Sequence, residues 1–514
     1  MNEHRKQRQP LLFSIGTIAL WCGLILFIGT VILSLLARIK VTGSIWATVG
    51  ITASVVIGYL LLFHWLNRPL SRRIYGLALL FIALGSRVVW VLVVDTQPVS
   101  DFKVLYDYAI KAADGDFAFG KMDYYIRWVY QLGYTLYEGL IVRIFGPSLV
   151  PLKLFNVLFE TLTVWIVYRM GASLFGETSG RIAGLMYATY IPNIIMCSVL
   201  TNQHLSTLLF AAGCLIAVTH RGRNGVFGIM TVALCFALGS VFRPMGSFYV
   251  GIFILFLFLY EWTKSGSWQR RLGTLTRKGL SFIAVYFLVQ QLISYSLITA
   301  GITDLKLSSN QEPYWKFIVG LNAESNGQWN PHDAEYVVKY PLGPERNQVE
   351  LTLLKERLSD PVEVSALLLR KLVLIMAKED DSVHWSLGGL DQYEWQIRLL
   401  SIERSQYMAY AFFGCFSLFA LLFHKRIRSN HEGLRTLVSN RRISVIHFPL
   451  LLLLAYTVLH TIIEFQVRYR LDVMPFFIVF AGYGCVYLNT GLQNRIFSRR
   501  LSQRMEQRSD TIAS

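Results

Sequence analysis

Charge is scarce in this sequence. Only 16% of its 514 residues are Asp, Glu, Lys or Arg, where an ordinary soluble domain carries about 25%. With 54% apolar residues and 14% aromatics, that scarcity excludes a disordered chain and an ordinary water-solvated enzyme. Cysteine is sparse too. Cys22, Cys197, Cys214, Cys235, Cys415 and Cys485 each sit in an apolar run and none forms a CxxC pair. A disulfide scaffold and a cysteine metal site are therefore excluded, and the six read as small core residues. The sequence also has no Walker pattern, no dinucleotide fingerprint and no internal repeat of the transporter kind. What it has in plenty is long apolar runs, which predict a polytopic membrane protein solvated mostly by lipid.

A membrane helix needs about 20 mostly apolar residues. The runs predict an all-α fold of about twelve transmembrane helices. They lie at 11–37, 44–66, 74–94, 150–172, 180–199, 204–219, 226–242, 246–262, 279–300, 405–423, 444–463 and 473–490. The first is too long for a cleaved signal peptide. If residues 1–10 are cytosolic, so are 67–73, 169–181, 220–225, 261–279, 424–443 and 491–514. Those pieces hold 26 Lys and Arg against six acids, whereas the segment 301–403 holds ten bases and sixteen acids. The positive-inside rule then puts both termini in the cytosol and two long segments, about 95–148 and 301–404, outside. The basic charge is scattered among short turns, so it suits anionic inner-leaflet lipid and gives no support to nucleic-acid binding. The organisation expected is an N-terminal tail and hairpin (1–73) and a core (74–300) with its outer loop (95–148). A second outer loop (301–404), C-terminal spans (405–490) and a basic tail (491–514) complete it.

Both outer segments read as helical pieces. Pro98 ends the third span, and Ser100 or Asp101 can cap a helix over KVLYDYAIKAADGD. Apolar residues at helical spacing from Tyr125 to Leu140 predict an interfacial helix closed by Gly146-Pro147. In the second segment, Gly320 to Tyr336 is turn-dense, and Asp360-Pro361-Val362-Glu363 is a strong helix start.

Charges at membrane level call for a function by default. Arg87 lies in the third span and Glu160 in the fourth, and the plain alternative is that they pair. Arg243 stands in Phe242-Arg243-Pro244. Glu464, Arg468, Tyr469 and Arg470 cluster after the eleventh span. Two arginines flanking a tyrosine suit a lipid phosphate, whose oxygens match guanidinium forks; snorkelling, or ion pairs with Glu464 and Asp472, is the alternative. Asp101 is the candidate base, and its alternative role is an N-cap. Asn322 and Trp329, with His384 and Trp385 in the polar cluster after the outer helix, are candidates for an acceptor-facing loop.

Taken in order, these motifs resemble the GT-C superfamily of integral-membrane glycosyltransferases. Within it they are most similar to the protein O-mannosyltransferase and lipid A aminoarabinose transferase-like family. The resemblance is carried by Arg87 with Gln97-Pro98-x-Ser100-Asp101, by Asn156 in Lys153-Leu154-Phe155-Asn156, and by Leu174-Phe175-Gly176 through Pro192. Phe242-Arg243-Pro244, Arg468-Tyr469-Arg470 and the Gly320–Asn330 loop, which is similar to Gram-positive versions, complete it. It spans about 74–490 and implies transfer of a sugar from a polyprenyl-phosphate donor to a hydroxyl on an envelope glycan, lipid or protein, at the outer face. By position it implies Asp101 as base, inversion at the anomeric carbon, and Arg468 and Arg470, with Arg243 or Lys378, on the phosphate. It further implies a partner enzyme that makes the donor. Phe102 follows Asp101 where many members carry an acid, and Thr201-Asn202-Gln203-His204 stands where many carry another. No cofactor is expected, and a divalent metal, which wants several hard oxygen ligands, lacks support. A lipid-glycan flippase would show repeats and charges deep in several spans. A non-catalytic envelope-assembly protein on the same scaffold is the third reading.

Overall fold

The computed structural model describes residues 9–42, 45–219, 225–264, 266–423 and 444–513; side chains are described within 15–37, 45–219, 225–264, 266–423 and 444–493. The basic stretches 1–8, 220–224 and 424–443, which carry part of the charge argument, lie outside these residues.

Among the described residues the chain is helical, without strands. A hairpin of α1 (Gln9–Thr42) and α2 (Ile45–Leu66) precedes α3 (Arg72–Val93). The first hydrophilic segment folds as α4 (Asp101–Ala113), a 3₁₀ turn, α5 (Asp123–Arg127) and α6 (Gln131–Phe145). The core continues through α7 (Leu149–Phe175), α8 (Glu177–Ala188), α9 (Ile191–Ile195), α10 (Gln203–Val218), α11 (Val226–Phe242), α12 (Gly246–Thr263) and α13 (Trp268–Thr299). The second hydrophilic segment holds α14 (Trp315–Gly320), α15 (Pro331–Val338), α16 (Pro344–Arg357), α17 (Pro361–Ala377) and α18 (Ser382–Leu387). Then come α19 (Tyr393–Phe423), α20 (His447–Ile462), a 3₁₀ turn (Val467–Asp472) and α21 (Met474–Ala513).

Local signals set several starts. Ser71 and Ser148 accept from backbone N–H groups at the heads of α3 and α7, and Asp360 accepts from Val362 and Glu363 ahead of Pro361. Such caps satisfy donors that a helix cannot pair internally. Ser100, in contrast, makes no side-chain capping bond, and Asp101 is the first helical residue and exposed.

Among the described residues, eight helices are long and apolar enough to cross a membrane, and α10, α11 and α20 are shorter apolar helices. The protein is thus a multi-pass membrane protein, but a count of twelve spans is not confirmed. The run 180–199 breaks into α8, α9 and a 3₁₀ turn at Met196–Ser198. It is almost wholly buried against other helices, so it reads as apolar without presenting a lipid-spanning length. The interfacial helix expected from Tyr125 to Leu140 is likewise interrupted between Arg127 and Gln131.

Close helix contact depends on small residues. A Cβ on Gly180 would lie 2.5 Å from Tyr168 O and Ala172 N, and one on Gly484 would lie 1.7 Å from Phe413 O. Glycine at these two positions lets α8 meet α7 and α21 meet α19 backbone to backbone. The N-terminal hairpin is part of the core: Tyr59 Oη lies 2.8 Å from Thr189 Oγ1 and 3.0 Å from Tyr410 Oη. Phe27 packs on Phe477 with ring centres 4.4 Å apart. The two hydrophilic segments meet each other: Arg127 and Arg346 both pair with Glu312, and Phe102 packs on Trp385.

Candidate active site

Asp101 is positioned by the segment before it. Thr96 Oγ1 donates to the Ser386 carbonyl at 2.8 Å, and Trp90 Nε1 donates to the Ile195 carbonyl at 3.1 Å. These bonds fasten the end of α3 to the buried 191–198 segment and the loop after it to α18. Ser100 then adopts φ +54°, a left-handed conformation that a serine takes only at a cost, of order 1–3 kcal/mol. That turn starts α4 with Asp101 exposed and Phe102 buried. The Phe102 ring meets Trp385 at 5.1 Å.

Across from it lies a row of cations joined by one chain of hydrogen bonds. Lys316 pairs with Glu464 Oε2. Gln466 Nε2 donates to Glu464 Oε1 at 3.1 Å, and Gln466 Oε1 accepts from Arg468 Nε at 2.7 Å. Gln203 Oε1 accepts from Arg468 Nη1 at 3.4 Å, and its Nε2 donates to Asp472 Oδ1 at 3.0 Å. Arg243 Nη2 closes the row on Asp472 Oδ2 at 2.9 Å. The ring of Tyr469 sits between two of the cations, 4.9 Å from the Arg243 guanidinium and 5.5 Å from that of Arg468. The Arg468 guanidinium also lies 5.0 Å from both Phe102 and Trp385. Three aromatic rings thus clasp it, and Phe102 is the residue next to Asp101.

The electrostatics agree with the geometry. Burial pulls Arg468 below its ordinary value, and Asp101 is among the groups acting against that fall. Burial pushes the Tyr130 hydroxyl up to about 12, with Lys316 opposing and Tyr469 and Asp101 adding to the rise. Tyr124 is also raised, first by burial and then by Asp101. Burial opposes the charge on Arg243, but Asp472 together with Tyr456, Tyr469 and Tyr130 more than restores it. Asp101, two tyrosines and the cation row therefore share one neighbourhood.

Arg468, Tyr469, Glu464 and Arg243, expected from the sequence, fall in this neighbourhood. Arg470 does not. It is buried and donates to the carbonyls of Ile375, Leu374 and Lys378, at the end of α17. Its place as a phosphate ligand beside Arg468 is corrected: residues two apart on a 3₁₀ turn are about 240° apart and face different ways. Lys378 donates to Gln328 Oε1 at 3.3 Å. The pairing of Arg87 with Glu160 is also corrected. Arg87, fully buried, donates to the carbonyls of Ala83 and Ala188 at 3.1 and 3.0 Å. Glu160 instead meets His204 Nδ1 at 3.0 Å and accepts from Tyr187 Oη at 3.3 Å. Asn156 donates to the Val199 carbonyl at 3.1 Å. Arg87, Glu160 and Asn156 together secure the broken 177–203 stretch, which carries Gln203 to the row.

In the acceptor-loop group, Asn322 is buried and donates to Asp333 at 2.9 Å, while its Oδ1 accepts from the N–H groups of Glu324 and Ser325. It ties a loop together. Trp329 and His384 are exposed, and Trp385 touches Arg468. Lys316, Gln466, Tyr130 and Tyr124 were not singled out from the sequence. Only Gln466 had a local signal, as the middle member of the alternation Glu464-x-Gln466-x-Arg468. Among the described residues no group of three or more His, Cys, Asp or Glu converges as a metal site requires.

Residues 134–289 match the family model of dolichyl-phosphate-mannose-protein mannosyltransferases. That segment includes Asn156, Glu160, Gln203 and Arg243, whereas Asp101 and the 464–472 turn lie outside it. No curated protein matches the sequence. Among solved structures, 84% of the chain aligns at 11% identity and TM-score 0.46 with AglB, an archaeal oligosaccharyltransferase from Archaeoglobus fulgidus in complex with an inhibitory peptide and a dolichol-phosphate. The chain spans about half (51%) of AglB's length. ArnT from Cupriavidus metallidurans bound to undecaprenyl phosphate aligns over 84% of this chain and 78% of its own, at 13% identity and TM-score 0.31. The match over 134–289 bears out the resemblance to GT-C membrane glycosyltransferases of the mannosyltransferase type that the sequence motifs carry.

Proposed function

We propose that this protein transfers a sugar from a polyprenyl-phosphate donor to a hydroxyl acceptor at the extracytoplasmic membrane surface. The observation that carries the reading is the contact of Arg468 with Phe102, which sets a cation row beside the exposed Asp101. The family match over 134–289 supports the same class of reaction.

In this reading Asp101 takes the proton of the acceptor hydroxyl. The acceptor oxygen bonds to the anomeric carbon from the side opposite the phosphate, and the bond from that carbon to the phosphate oxygen breaks. The electron pair leaves with polyprenyl phosphate, and the anomeric configuration inverts. A positioned base contributes about 10²–10⁴-fold. The leaving oxygen is already a good anion, so cations at the phosphate stabilise the charge as it grows. Arg468 fills that role, with Arg243 and Lys316 beside it in the row. Arg470 becomes a positioning residue that holds the end of α17. The acceptor approaches past Trp329 and His384. The positive-inside pattern supports cytosolic termini, and a separate enzyme supplies the donor.

The test is an assay of the purified protein in bilayers with a panel of polyprenyl-phosphate sugars, scored for release of polyprenyl phosphate. Release from at least one member supports the reading. Donor consumption by none, with the protein folded and acceptors from the envelope supplied, contradicts it.

A further inference from the structure

Arginine can only donate hydrogen bonds and a carboxylate can only accept them. A neutral side chain that bridges the two must do both, and a primary amide does so with its oxygen toward the arginine and its nitrogen toward the acid. Two such amides flank Arg468. Gln466 receives Arg468 Nε and donates to Glu464, and Gln203 receives Arg468 Nη1 and donates to Asp472. Gln203 Nε2 also donates to the Arg468 carbonyl at 3.2 Å. The two come from separate elements, one at the head of α10 and one ahead of the 3₁₀ turn, so the guanidinium is braced from two sides.

The consequence is a difference among the three cations. Lys316 and Arg243 each contact a carboxylate directly. Arg468, among the described residues, contacts none within ion-pair distance, because an amide stands between it and each acid. Its rings of contact, Phe102, Trp385 and Tyr469, supply no full negative charge. A guanidinium so held keeps its charge for an incoming anion, where one in a direct ion pair would first have to give up its partner.

We propose, building on the transferase reading, that Gln203 and Gln466 are positioning residues of Arg468. They fix its plane and insulate it from Glu464 and Asp472, so that Arg468 is the cation offered to the donor phosphate. Replacing either amide by the acid of the same shape gives Arg468 a carboxylate of its own.

The experiment compares Gln466→Glu and Gln203→Glu with the wild type in purified full-length protein, with Gln348→Glu on the exposed face of α16 as charge control. The expected result is a rise in donor KM of about tenfold, the size of one charge-assisted hydrogen bond, with acceptor KM unchanged. In an Arg468→Ala background the same changes should add nothing. Gln466 is half-buried at a loop, so Gln466→Glu serves where Gln203→Glu does not fold. An unchanged donor KM in a folded variant, an equal rise for both substrates, or a full additional loss in the Arg468→Ala background overturns the proposal. Binding of undecaprenyl phosphate, followed by tryptophan fluorescence, separates the two levels. If the wild type transfers no sugar, the reaction assignment fails. The positioning role then stands if both variants bind this probe about tenfold more weakly, and falls if they bind it equally well.

Discussion

The guanidinium of Arg468 lies 5.0 Å from the centre of the Phe102 ring, and Phe102 follows Asp101 in the chain. One contact therefore couples the N-terminus of α4 to the turn after α20, more than 360 residues later in sequence. An acid at position 102 would pair with Arg468, whereas phenylalanine leaves its charge open while holding its face.

Arg468→Ala and Arg470→Ala should fail in different ways. Arg468→Ala removes a cation from the row, so donor KM should rise with little loss of stability. Arg470→Ala should take their donor from the Ile375 and Lys378 carbonyls at the end of α17, at a cost of about 1–3 kcal/mol. Thermal unfolding in detergent together with donor and acceptor KM checks this. Two variants with the same profile would contradict the assignment.

Glu350 gives a pH prediction. Burial, then Glu312, pushes its carboxyl up to about 7, with Arg127 and Arg346 opposing. In the unfolded chain it ionises near pH 4.3. The folded protein therefore binds more protons between those values, so this group's contribution to stability falls as pH rises through about 4.3 to 7 and then levels. Glu350→Gln should gain stability over the wild type across that window and hold the gain above it. Unfolding midpoints measured at a series of pH values check this; a gain that shrinks with rising pH would be the wrong sign.

Arg87 acts on the fold. Replacing it by Met strips donors from the Ala83 and Ala188 carbonyls inside the bundle, at a cost on the order of 2 kcal/mol. Unfolding of the solubilised protein should show the loss, while donor KM of the folded fraction stays at the wild-type value. A donor KM effect without destabilisation would place Arg87 in the site instead.

The sequence was most informative where the physics is local. Asp360-Pro361 marks a helix start because its cap bonds reach only two or three residues ahead, and they form as expected. Hydropathy found the long spans because lipid contact demands a long apolar stretch. It misread 180–199, since burial among helices looks the same in composition as exposure to lipid. Asp101, Arg468 and Arg243 were legible as charges at a membrane boundary. Which of Arg468 and Arg470 faces the site was not, because that depends on the phase of a short 3₁₀ turn. Lys316 was illegible for another reason: its partner Glu464 is 148 residues away, and nothing near it in sequence marks it off from other loop lysines.

Asp101→Asn tests the centre of this account. The residue is exposed, so its replacement should leave folding intact, and the lost base should slow transfer by about 10²–10⁴-fold. The measurement is release of polyprenyl phosphate by both proteins from a donor that the wild type uses, with the product's anomeric configuration determined. The wild type should give an inverted product, and the variant should show release reduced by that factor. Equal release from both, or a retained configuration, would contradict this.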